Sequence, residues 1–226
     1  MPIVVPAKPN VIVRPLAIVD FTIDFTGIAH YFISLGEGQK IRFISYLHLP
    51  QPHQIITDMA VSGLADYRGE RCYEVERRSS RPDGSLCAGG TFYVALRETE
   101  VAWLLRIRRN PGQVTTIEEP TARFPRRLAP GMRWEHRRIH GAVELTIGSN
   151  TWECLEVQSH ASRDAHLTKL YISAEGLQVY SHRYLRKDAP AAFPIPQDAP
   201  TVSHRGFEFV SYYEDFAEFT LEQADA

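Results

Sequence analysis

The sequence predicts an all-β fold: a curved antiparallel sheet, half-barrel or barrel-like, built from two related β-meanders. Three observations predict it. Apolar and polar residues alternate with period two along most of the chain. No segment carries a capped apolar stripe of period 3.6. A Cys-x-Glu-Val motif recurs in two strand-like runs, first as Cys72-Tyr73-Glu74-Val75 and again as Cys154-Leu155-Glu156-Val157. Each copy follows a turn containing glycine (Gly63 to Gly69, then Gly148). Each then leads through a polar loop to a tyrosine that opens another apolar run, Tyr93 and Tyr171. The echo predicts an internal repeat over about 38–109 and 131–186, closing on one core within a single domain of 1–226.

The elements follow in order. Over 21–35, Phe21, Ile23, Phe25, Ala29, Tyr31, Ile33 and Leu35 share one face, as a long half-buried strand requires. Gly36-Glu37-Gly38 supplies a turn, and alternation resumes over 41–49, giving a hairpin. Further strands are expected at 54–62, 70–78, 90–97, 101–109, 114–118, 132–140, 142–147, 151–159, 166–173 and 177–186. The run 207–221 closes the set and is expected in the same sheet system as 21–35. Two stretches break the pattern. Residues 119–131 hold Pro120, Pro125 and Pro130 and bridge the halves. Residues 187–204 hold Pro190, Pro194, Pro196 and Pro200. Proline removes a ladder donor, so 187–204 reads as a loop, placed to cover one end of the sheet.

Composition narrows the function. Apolar residues make up 44% of the chain and aromatics 11%, enough for a sizeable core and unlike a disordered chain. The net charge of −2 creates no global field to recruit nucleic acid or an anionic membrane. No apolar run approaches the roughly 18 residues of a membrane-spanning helix. The first ten residues lack a basic segment followed by an apolar one, so a cytoplasmic protein is expected. Three cysteines are too few for a disulfide framework. Cys72 and Cys154 share strand faces with Glu74 and Glu156, which disfavours a thiolate, so both read as small buried hydrophobes. Residues 106–138 carry nine arginines and 206–226 six acids, so pairing of these segments across strands is expected.

The stretch Phe124-Pro125-Arg126-Arg127-Leu128-Ala129-Pro130-Gly131-Met132-Arg133-Trp134 resembles the way chains enter the curved sheets of the lipoprotein-carrier (LolA-like) superfamily. Ala174-Glu175-Gly176-Leu177-Gln178-Val179-Tyr180 is similar to a hairpin of that superfamily. The resemblance covers about 120–186. It implies an open, bent sheet around an apolar cavity for acyl chains or other greasy ligands, and it implies no catalytic residues.

No nucleophile elbow, phosphate loop or paired-cysteine motif is present, and nothing calls for a cofactor. His136 and His140, four residues apart on a strand, stand about 13 Å apart, too far to share one zinc. A metal would need His30, His48 or His182 from neighbouring strands, so no metal site is expected. On an unbroken strand, Trp134, His136, Arg138 and His140 line one face. An indole beside imidazole and guanidinium suits an aromatic or anionic ligand, so these four are the candidate binding residues. The leading reading is a binding module for a small apolar or amphipathic molecule, gated by 187–204. A cofactor-independent isomerase or cyclase in the same cavity is the alternative, using scattered Tyr, His, Asp and Glu. A structural protein that pairs through sheet edges is the third.

Overall fold

Alternation becomes strand over most of its length. The computed structural model describes residues 7–17, 21–25, 28–29, 34–35, 38–49, 52–110, 112–117, 123–161, 165–189 and 194–218, and every regular element among them is a strand. Twelve strands form one antiparallel path. They are β1 (Val11–Pro15), β2 (Lys40–Leu47), β3 (His53–Tyr67), β4 (Glu70–Ser80), β5 (Leu86–Leu96), β6 (Glu100–Asn110) and β7 (Gln113–Ile117), then β8 (Arg137–Ile147), β9 (Asn150–Ala161), β10 (His166–Ser173), β11 (Gln178–Arg186) and β12 (Phe207–Glu218). Their spatial order is β1-β8-β9-β10-β11-β12-β2-β3-β4-β5-β6-β7, a large curved sheet not closed into a barrel. Arg123–Pro125, Arg133–Trp134 and Thr201–His204 pair onto β6, β8 and β12.

Two runs of four consecutive strands, β3–β6 and β8–β11, share their irregularities. In the first, a bulge between Val61 and Gly63 sets Gly63 against Glu74, which faces Tyr93 and then Leu105. In the second, a bulge between Ile139 and Gly141 sets Gly141 against Glu156, which faces Tyr171 and then Tyr180. In both, a further bulge follows the tyrosine. Each bulge adds a residue to one strand and increases the local twist, which bends the sheet. Cys72 and Cys154 stand two residues before the glutamate of each row, 1% and 0% exposed and unbridged. Burial, with the Glu175 carboxylate adding to it, pushes the Cys154 thiol up to about 12, far from a reactive thiolate. Cys154→Ser is expected to cost about 1–3 kcal/mol by burying a hydroxyl in an apolar site. Urea unfolding checks this, and an unchanged midpoint would refute it.

β12 ties the halves together, pairing with β11 along one edge and with β2 along the other. The main core lies on one face, where Ile41, Phe43, Met59, Val75 and Trp103 meet Ile139, Leu155, Val157, Leu170 and Ile172.

Several sequence expectations need correction. Over 21–35 the described residues form short pieces rather than one strand beside β12. Ile23–Asp24 pairs with Arg127–Leu128, and Ile28–Ala29 pairs with Ser34–Leu35. The physical reason is burial. Ile23, Phe25 and Leu128 enter the core together, and Arg126 pins the segment by donating from Nε to the Phe25 carbonyl at 3.0 Å. The expected turn at Gly36-Glu37-Gly38 lies mostly outside the described residues. The expected strand 132–140 is a hairpin, because Glu135 adopts φ 49° and Trp134 turns back to pair with Arg137. Part of the expected 187–204 loop is strand Thr201–His204, and Ile195 and Ala199 pack on Leu49, Leu185 and Val210. Among the described residues the basic and acidic segments do not pair, since β12 pairs with β11, β2 and Thr201–His204 and with no strand of 106–138.

Candidate functional site

On β11, alternation sends Ser181, Arg183 and Leu185 to one face and Tyr180, His182 and Tyr184 to the other. A bulge between Arg183 and Tyr184 shifts the register against β12 and sets His182 opposite Glu214. Tyr171 of β10 joins them through its pairing with Tyr180. These side chains floor a cleft of about 390 Å³ on the face opposite the main core. The N-terminal segment (Lys8 to Val11, with Val13), Glu156 and Lys169 wall it.

Glu214 lies at the bottom, 2% exposed. Its Oε1 accepts from the Tyr180 hydroxyl. Its Oε2 accepts from Lys8 Nζ and lies 2.7 Å from His48 Nε2. Burial alone would raise the Glu214 carboxyl, but the bonds from His48, Lys8 and Tyr180 together outweigh it and hold the group down at about 2. His182 Nδ1 lies 2.8 Å from the Tyr184 hydroxyl and 3.2 Å from that of Tyr180, while Nε2 lies 2.8 Å from Ser211 Oγ. Burial drives His182 down to about 4 against the opposing pull of Glu214. The imidazole is therefore neutral near pH 7, and its 3.7 Å approach to Glu214 is not an ion pair there. Burial raises all three floor tyrosines, Tyr184 to about 12. The rings stack in pairs, Tyr171 on Tyr180 at 5.5 Å and His182 on Tyr184 at 3.9 Å between centroids.

A second polar cluster occupies the core side of the same strands. Asp215 accepts from Ser45 Oγ at 2.5 Å and Ser181 Oγ at 3.1 Å, and the Tyr213 hydroxyl donates to Ser45 at 2.8 Å. Its adjoining space is only about 90 Å³, too small for more than a few waters.

The four sequence-nominated residues lie elsewhere. Trp134 packs, half-buried, against the main core, while His136, Arg138 and His140 are exposed. The turn at Glu135 breaks the face they were expected to share, and none of them lines the cleft. Of the three histidines considered for a metal, His48 and His182 both reach Glu214, and His30 lies outside the described residues. Among the described residues no group of three His, Cys, Asp or Glu side chains is placed to hold a metal. No described helix is long and apolar enough to cross a membrane.

No family model matches the chain, and no curated protein matches it. Among solved structures, the chain is similar to a provisionally assigned lipoprotein from Parabacteroides distasonis ATCC 8503. The TM-score is 0.48 at 12% identity, over 87% of this chain and 98% of that one.

Proposed function

We propose that the protein is a binding module that holds a small amphipathic molecule in the cleft above Glu214. The observation that carries this reading is a nearly inaccessible carboxylate, fully hydrogen-bonded, at the bottom of a tyrosine-floored concavity. Tyr184, half-buried on the floor, offers an apolar face to the greasy part of a ligand, and Lys169 and Glu156 on the wall orient its polar end, while Tyr171 and Tyr180 are themselves buried in the floor. The resemblance of 120–186 to LolA-like carriers supports the same ligand class.

The titration behaviour of the floor favours binding over acid–base catalysis. A general acid or base works best with a pKa near the operating pH. Glu214 near 2, His182 near 4 and Tyr184 near 12 are all displaced from neutrality by their surroundings. They form a hydrogen-bonded polar floor whose groups each keep one protonation state near pH 7.

The test is extraction. Wild-type protein and Tyr184→Ala, each purified from the native host, are denatured and their small molecules identified by mass spectrometry. Wild type is expected to release an amphipathic molecule near one equivalent. A folded Tyr184→Ala protein should release at least about tenfold less, the equivalent of losing roughly 1.4 kcal/mol of binding. Equal amounts from both proteins would place the ligand elsewhere, and conversion of an added metabolite pool by wild type would favour an enzyme.

A further inference from the structure

We propose that the first meander carries a second ligand site, an oxyanion receptor at the Gly89 position between Arg78 and Arg109. It rests on observations independent of the tyrosine cleft. Paired across adjacent strands, Arg42, Asp58, Arg78, Gly89 and Arg109 form one row. The row lies on the face opposite the main core. Neighbouring strands are about 4.8 Å apart, so the Arg78 and Arg109 backbones stand about 9.5 Å apart with no side chain between them. The gap opens into a groove of about 770 Å³, within the usual range for small-molecule sites.

The charges are arranged for an anion. Arg42 holds Asp58 through two bonds, Nε to Oδ1 at 2.6 Å and Nη2 to Oδ2 at 3.2 Å, so that carboxylate is already neutralised. Arg109 Nη1 donates to Thr91 Oγ1 at 2.9 Å, which lays its guanidinium along the groove. The Arg78 guanidinium has no hydrogen-bond or ion-pair partner among the described residues. Lys40 adds a further cation at the rim, and Glu76 is the remaining acid. Two guanidinium forks flanking an empty position suit a carboxylate or phosphate, each able to bind it bidentately. Leu86, half-exposed in the same groove, offers an apolar contact to a tail.

The duplicated frame places this notch where the other meander has its cleft. Four residues before Tyr93 is Gly89, paired with Arg109; four before Tyr171 is Leu167, paired with Tyr184. One meander thus carries leucine and tyrosine beside a buried carboxylate, and the other carries a gap and arginine.

Two probes with one head group, inorganic phosphate and decyl phosphate, separate a free oxyanion from an amphipathic one. Titration calorimetry at low salt is run on wild type, Arg78→Ala, Arg109→Ala and Gly89→Leu, with Arg14→Ala as control. Gly89→Leu fills the notch. A Cβ there would make ordinary contact, 3.4 Å from the Arg77 carbonyl, and the backbone is not left-handed. At least one probe should bind wild type and Arg14→Ala alike, weaken as salt rises, and lose tenfold or more in each notch variant. A tail effect identifies an amphipathic phosphate as the ligand; equal binding of both probes identifies a free oxyanion. Failure of both probes at millimolar concentration, or unaltered binding in all three notch variants, overturns the proposal, and neither result touches the tyrosine cleft.

Discussion

Lowering the pH from 7 to 4 is expected to remove about 3 kcal/mol of stability through His182 alone. Burial is the main cause, holding the folded imidazole near 4 against an ordinary value of 6.5. Above pH 6.5 the ring is neutral in both folded and unfolded chains, and its contribution is fully present. Between 6.5 and 4 only the unfolded chain takes up the proton, so acid favours unfolding throughout that window. Glu214 extends the effect. Its carboxyl stays ionised in the folded state down to about 2, against an ordinary value of 4.5, and its contribution is lost as pH falls across that second window. Urea unfolding of wild type and His182→Asn at pH 7, 5.5 and 4 checks the argument. The variant should show a shallower decline from 6.5 to 4. A wild-type stability that stays level from 7 to 4 would rule the mechanism out.

Trp103→Ala is expected to cost about 3–5 kcal/mol. The indole is 2% exposed, lies 5.3 Å from the Phe92 ring, and belongs to the cluster that both meanders build. Its loss removes a large apolar surface and leaves a void that surrounding strands, held in register by their ladders, fill poorly. Trp103→Phe should recover more than half of the loss. Denaturant melts read both values, and a cost below about 1 kcal/mol for alanine would show that the site collapses without penalty.

Period two proved a sound guide to strands because each of the long ones has one face in the core. The expected 70–78 and 166–173 correspond to β4 (Glu70–Ser80) and to β10 (His166–Ser173). Alternation says that a run is half-buried and is silent about its partner. That is why 21–35 was misplaced, with Ile23 and Phe25 buried beside Leu128 instead of extending the sheet at β12. The Trp134 face failed for a different reason. Its turn is made by Glu135 and His136, which carry none of the usual turn chemistry of glycine, asparagine or aspartate. The tyrosine cleft draws on residues far apart in the chain. Tyr180 and Glu214 are 34 residues apart, and Lys8 and Glu214 are 206 apart, so no linear motif can hold them. Two signals were nonetheless present in the sequence. Tyr180, His182 and Tyr184 recur at period two, and Glu214-Asp215 falls between Tyr213 and Phe216 in a strand-like run, as charges that a core tolerates only when they are bonded.

The place of β12 between the meanders has a consequence for the order of assembly. Most neighbouring strands are joined by short connections and can zip as soon as they are synthesised. The ladders between β1 and β8 and between β2 and β12 are different, and in the second Ser45 and Asp215, bonded across it, are 170 residues apart. Closing a loop of that length costs about 3 kcal/mol more in chain entropy than closing a five-residue hairpin. That cost is met only when β12 has been synthesised and can bind both flanks at once. Until then β2 waits as an open edge, and the carboxylates of Glu214 and Asp215 are not yet in place to organise either polar cluster. On this entropic ground the two halves are expected to form before β12 joins them, and the candidate ligand cleft to form with that joining.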